Sequence, residues 1–330
     1  MRWRADKLQD EQADEHHAAT RIRERVQMPV EVAADCLQRS AEPDDQRSQD
    51  DVPDDEHRVI IIAALREHLR MVERAVVAAQ TRGERLDADA LRFVIRLARV
   101  EDRQELPGFV GGALAQALVD SRQPDSVRSR AAWLVLFVEA RHISDDERLH
   151  DEISRLSVRV RDDWIARPIA DAAAALEAAL LTSTLDGFGP LAAPAVDELE
   201  RIVSAHYRPG QPLGSFADQV RTASALLSAF DVSGRLPYPM LAVELMQTAS
   251  GRPSHAFEEQ CDAAHVWCRL AVLHASAGYR DAAVVAPNAD YQADAIRMLS
   301  ELADEAGRRG ASAAIYGFAL LELESASLLQ

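Results

Sequence analysis

The stretch EEQCDAAHVWCRLAVLHASAGY, Glu258 to Tyr279, holds two of the three cysteines and two of the ten histidines. Cys261, His265 and Cys268 stand at i, i+4 and i+7 of an apolar run, with His274 further along. Thiols and imidazoles at such spacing raise two chemistries, zinc ligation and nucleophilic catalysis. Helix geometry argues against the first. Seven residues of helix rise ~10.5 Å, too far for a disulfide between Cys261 and Cys268. The same rise keeps all three side chains from one tetrahedral zinc, whose bonds are ~2.0–2.3 Å. Ala264, Cys268, Ala271 and Val272 mark a stripe of small residues, as expected where helices approach closely. The stretch reads as one wall of a helical assembly. No metal site is expected, and His265 is the polar group that such a wall could turn toward a ligand.

Other side chains could serve acid–base chemistry. Glycoside hydrolysis needs two carboxylates ~5–9.5 Å apart across a cavity. Asp186, Asp218, Glu258, Glu259 and Asp262 are available. Asp186 lies in LTSTLDGFGP, where Gly187 and Gly189 permit unusual backbone angles and close ligand approach, or simply make a turn. Asp218 follows GSFA at a helix start, where capping also explains it. Glu258 and Glu259 suit the first turn of a helix, whose dipole favours negative charge. Epimerisation needs groups that titrate near neutrality, for which His206, His255, His265 and His274 are present. Tyr207 and Arg208 in AHYRPGQPLG, together with Trp267, could stack on and hydrogen-bond a polar ligand. Asp186, Asp218 and His265 are therefore the catalytic candidates, and Tyr207, Arg208 and Trp267 the ligand-binding ones.

Several classes drop out. Of 37 basic residues only Lys7 is lysine, so no folded segment offers a Schiff-base, pyridoxal-anchoring or P-loop lysine. No G-x-S-x-G, H-E-x-x-H, G-x-G-x-x-G or EF-hand loop occurs, and no cofactor is expected. A net charge of −17 argues against nucleic acid as a partner. No apolar run reaches the ~18–20 residues of a membrane span, and MRWRADKLQDEQADEHH lacks the apolar core of a signal peptide. The expectation is a cytoplasmic protein, without nucleic-acid or membrane partners.

The elements that must position these residues are helical. Residues 1–57 are acidic and poor in apolar side chains, and are expected to form a disordered extension. Residues 58–330 are expected to form one helical domain. VIIIAALREHLRMVERAVVAAQ places Ile61, Leu65, Leu69 and Val72 on one stripe. DADALRFVIRLARV follows, with Asp87 or Asp89 as its N-cap. LPGFVGG reads as a breaker. From residue 128 onward, helices come in pairs joined by short polar turns: SDDER, TLDGFGPLAAP, SGRLPY and AGY. AAVVAP is the best strand candidate but is better read as a connector. About twelve helices result, in units of ~35–45 residues, the range of stacked helical hairpins.

DQVRTASALLSAFDVSGRLPYPMLAVELM combines an acidic residue, small residues, paired leucines, an aromatic, a glycine turn, a tyrosine and Ala-x-x-Leu. PSHAFEEQCDAAHVWCRLAVLHASAGYRDAA repeats that scheme with Trp267, Leu270, Gly278 and Tyr279, and AAWLVLFVEARHISDDERLHDEI is a looser copy. The pattern resembles the hairpins of the α/α-toroid, six-hairpin glycosidase-like superfamily. It also resembles the helical half of YyaL-type thioredoxin-domain-containing proteins. Their thioredoxin domain has no counterpart here, since the sequence has no C-x-x-C and no βαβ pattern. The resemblance implies an all-α fold of antiparallel helical hairpins, a complete or partial (α/α)6 toroid. It further implies a central funnel that binds or processes a carbohydrate-like small molecule. The competing expectation is a non-catalytic helical scaffold that binds a protein partner.

Overall fold

A computed structural model describes residues 55–101, 106–121, 126–165, 168–252, 254–283 and 289–327. The extension expected over residues 1–57 lies outside these, except that residues 55–57 already belong to the first helix. Among the described residues the secondary structure is helical, without a strand.

Helix α1, Asp55–Thr81, buries Leu65, Leu69, Val72 and Val76 at helical spacing. Helix α2, Ala88–Glu101, starts on Asp87, whose Oδ1 accepts from the Ala90 amide at 2.8 Å. Helix α3, Leu106–Asp120, corrects the sequence reading, because LPGFVGG lies inside it. Pro107 is the second residue of α3, where a missing amide proton removes no helical hydrogen bond. Then come α4 (Val127–Arg141), α5 (Glu147–Asp163), α6 (Ile169–Thr182), α7 (Ala192–His206), α8 (Phe216–Ser233) and α9 (Pro237–Ser250). They are followed by α10 (Phe257–Ala275), a short α11 (Ala277–Ala282), α12 (Tyr291–Arg309) and α13 (Ala314–Ser327). The expected turn at Ala277–Tyr279 is thus the start of α11, and most of AAVVAP lies outside the described residues.

The pairs expected from the sequence do pack: α4 on α5, α6 on α7, α8 on α9 and α10 on α12. A second set of contacts links every other helix. Helix α2 packs on α4, α4 on α6, α6 on α8, α8 on α10, α10 on α13, and α13 on α2 again. The remaining long helices lie outside this closed circuit: α5 rests on α4 and α6, α7 on α6 and α8, and α9 on α8 and α10. Likewise α12 rests on α10 and α13, α1 on α12 and α13, and α3 on α2.

A helix packed on several sides must be apolar around most of its girth. Helix α4 accordingly buries every residue from Trp133 to Ala140, and α6 every residue from Ala172 to Leu176. Small residues bring the axes close. A Cβ on Gly317 of α13 would stand 2.7 Å from Phe93 and 3.0 Å from Val72, so only glycine fits there without movement. One core runs continuously from Leu65 to Leu323. Among the described residues no helix is long and apolar enough to cross a membrane.

Candidate functional site

Inside the circuit lies a cavity of about 720 Å³. All six circuit helices line it: α2 with Asp89 and Arg92, α4 with Arg128 and Trp133, α6 with Glu177, α8 with Arg221 and Ser224, α10 with Asp262 and His265, and α13 with Phe318. Its rim is formed by the segments that lead into circuit helices, residues 85–89, 126–129 and 256–259. The pattern is plainest on α10, where Glu258, Asp262 and His265 follow at helical spacing and line the cavity.

Below the cavity a charged layer crosses the circuit. Glu139 Oε1 of α4 accepts from Arg92 Nη2 at 3.2 Å and from Arg96 Nη2 at 3.1 Å. Arg96 Nη1 also reaches Glu322 Oε2 of α13 at 3.3 Å. Arg269 donates to Glu177 Oε1 at 3.3 Å, to Ser224 Oγ at 3.2 Å and to Asp231 Oδ2 at 3.0 Å. The ring of Phe318 sits with the guanidinium carbons of both Arg92 and Arg96 at 4.7 Å from its centroid, close enough for cation–π attraction. His265 meets the same ring edge-on at 4.8 Å.

This setting fixes the protonation of its members. Burial alone pushes Glu139 up, but Arg92 and Arg96 outweigh it and hold the carboxyl below its ordinary range. Burial, then the charges of Arg269, Arg96, Arg92 and Arg221, press His265 well below its ordinary value. Its imidazole is therefore neutral at physiological pH. The Nε2 atom is buried without a hydrogen bond, and the nearest carboxylate oxygen, Glu322 Oε1, is 3.9 Å away. Arg92 Nε and Glu139 Oε2 are likewise buried without partners. Such orphans sit where a water or a ligand hydroxyl would satisfy them.

Higher in the cavity, Asp262 of α10 pairs with Arg221 of α8 and, at 3.5 Å, with Arg128 of α4. Burial raises Asp262 to about 6; the two arginines pull it down, while Asp89 and Glu177 push it up. A carboxyl that titrates there, one turn from a neutral imidazole, can exchange protons with a bound molecule near neutrality.

Of the catalytic and ligand-binding candidates Asp186, Asp218, His265, Tyr207, Arg208 and Trp267, the cavity lining includes His265. Asp186 is exposed in the turn after α6, beside Gly187 at φ 88°, whereas the cavity rim is built from segments before circuit helices. Asp218 closes a capping box with Ser215, and its Oδ1 also accepts from the Ala170 amide of α6 at 2.8 Å. Tyr207 is buried, and Arg208 folds back so that Nη1 donates to the Tyr207 and Ser204 carbonyls at 2.5 and 3.4 Å. That arrangement places a cation on the C-terminus of α7. Trp267 is buried and stacks on Tyr291 of α12, centroids 5.4 Å apart. Glu258, Glu259 and Asp262 do line the cavity.

Burial raises both Cys261 and Cys268 thiols well above their ordinary value, and Cys268 Sγ points to the Ala319 carbonyl at 3.6 Å. Neither offers a thiolate. Among the described residues no group of three His, Cys, Asp or Glu side chains could hold a metal ion. Comparison with protein-family models, with curated proteins and with solved structures finds no match to this chain.

Proposed function

We propose that the closed circuit is an (α/α)6 toroid and that its central cavity binds a polar, carbohydrate-like small molecule. Helices α2, α4, α6, α8, α10 and α13 would be the inner ring, and α1, α3, α5, α7, α9 and α12 the outer one. The observation that carries the binding reading is the cavity itself. Its volume of about 720 Å³ falls within the ~300–1,000 Å³ of small-molecule sites. Carboxylates on separate helices, Glu177 and Asp262, share it with the aromatic ring of Trp133. Hydrogen-bonding groups beside a stacking surface suit a polyhydroxylated molecule. His265 and Asp262 are the residues we assign to any proton transfer on that molecule.

The test is a thermal-shift and calorimetric screen of neutral and acidic mono- and disaccharides against the full chain. The control is Ala174→Trp, which places a large ring in the cavity from α6. Binding by the native protein and its loss in the variant is the expected result. No binding by any sugar would remove this reading and leave the helical scaffold in its place.

A further inference from the structure

Charge pairing in the cavity is uneven. Arg85 is matched to Asp120 at 2.9 Å, and Arg92 to Glu139 at 3.2 Å. Around Asp262 the balance differs, because two guanidiniums from two helices converge on one carboxylate oxygen, Oδ2. At this point two guanidiniums meet one carboxylate, although Asp89, Glu177, Glu258 and Glu259 also line the cavity. Arg221 is largely buried at 21% side-chain exposure, which fixes its position, while Arg128 is 44% exposed at the rim. The Arg128–Asp262 contact of 3.5 Å is long beside the ~2.7–2.9 Å of a charge-assisted hydrogen bond. Arg128 also sits in the first turn of α4, which Ser126 caps through the Ser129 amide at 3.0 Å. The positive end of that helix dipole adds to the same spot.

We propose that Arg128 and Arg221 form a clamp for an anionic group, a carboxylate or a phosphate, carried by the sugar-like ligand. In the free protein Asp262 holds the two guanidiniums together, and the ligand's anion displaces it. Planar guanidiniums recognise both groups through paired N–H donors. Trp133, further along α4, and Phe318, on α13, then flank the rest of the ligand. This inference rests on the binding reading above and names the class of molecule.

Isothermal titration of the full chain with glucose, glucuronate and glucose 6-phosphate tests it. One or both acidic sugars are expected to bind at least ~10-fold tighter than glucose, a charge-assisted contact being worth about that factor or more. The two acidic arms separate a carboxylate from a phosphate. Arg128→Gln and Arg221→Gln should each abolish the preference for the acidic sugars over glucose. Arg128 is exposed enough to be replaced without unfolding, and circular dichroism checks both variants. Asp262→Asn removes the internal competitor and should tighten acidic-sugar binding several-fold. Equal affinity for all three sugars would overturn the clamp and leave the binding reading standing. Weaker acidic-sugar binding by Asp262→Asn would also overturn it, since Asp262 would then be a direct contact. Binding of none of the three would remove the clamp together with the reading beneath it.

Discussion

Arg92 of α2 and Glu139 of α4 meet at 3.2 Å beneath the cavity, with side-chain exposures of 18% and 9%. Removing one charge from such a pair strands the other in a poorly solvated place. Glu139→Gln keeps the shape but leaves the charges of Arg92 and Arg96 without the carboxylate they share. The expected loss is about 3 kcal/mol of unfolding free energy, read by urea denaturation. A change below ~0.5 kcal/mol would mean that water already screens the layer.

Gly317 is set against the buried ring of Phe93. Alanine is the better helix former by about 1 kcal/mol, so on propensity alone Gly317→Ala would stabilise α13. The contact at 2.7 Å predicts the reverse sign, a net cost of about 1–3 kcal/mol from overpacking. Melting temperature decides between the two signs.

Asp218 serves two helices at once, capping α8 and binding the first turn of α6. Asp218→Ala should cost about 1–2 kcal/mol, while Ser215→Ala should cost less because it leaves the Ala170 contact intact. Neither variant should alter sugar binding. A selective loss of binding in Asp218→Ala would return that residue to the list of functional groups.

His274 packs edge-on against Tyr279 and Tyr291, with centroids at 5.0 and 4.5 Å, and its Nε2 is buried without a partner. Burial lowers it to about 4, and Arg280 adds to the effect. Its folded pKa lies below the unfolded value of ~6.5, so in that window the unfolded chain binds the extra proton. Stability is therefore lost as pH falls from about 6.5 toward 4. His265 acts in the same direction, and Asp262, raised on folding, opposes both by losing stability as pH rises toward 6. His274→Phe keeps both ring contacts and removes the proton site. Between pH 7 and pH 5 the variant should lose less melting temperature than the native protein. Parallel curves would show that His274 gains its proton in the fold.

Cys261 and Cys268 are both fully buried. In a Cys36→Ser background, an aromatic disulfide reagent should label neither in the native state and both in guanidinium. Rapid native labelling would mean that α10 opens locally.

Much of the helical order was legible in the sequence, because apolar periodicity and polar turns place most helices within a few residues. LPGFVGG was misread because glycine and proline weaken a helix on average, yet Pro107 stands where α3 tolerates it. The cavity was harder to read. Charged residues at helical spacing ordinarily mark a solvated face, so Arg92, Glu177 and Arg221 do not stand out in the sequence, and Asp89 reads as a cap. The usable signal was a charge inside a run with no polar face. Glu139 sits in Trp133–Ala140, where every other side chain is apolar, and such a residue demands a partner from another helix. Which helix supplies it depends on contacts between segments far apart in the chain, which periodicity does not carry.

The seam between the first and last described helices has a different consequence. Arg66 of α1 binds Glu324 of α13 at 3.0 Å, and Arg58 binds Asp290 ahead of α12 at 2.6 Å. An open stack of helical repeats has two terminal units that fray first and need polar caps. A stack whose last member docks on its first has no terminal unit. Unfolding any one hairpin then exposes two neighbours rather than one, so the molecule should melt in a single transition. For the same reason the order in which the chain visits the helices is a matter of connection rather than of packing.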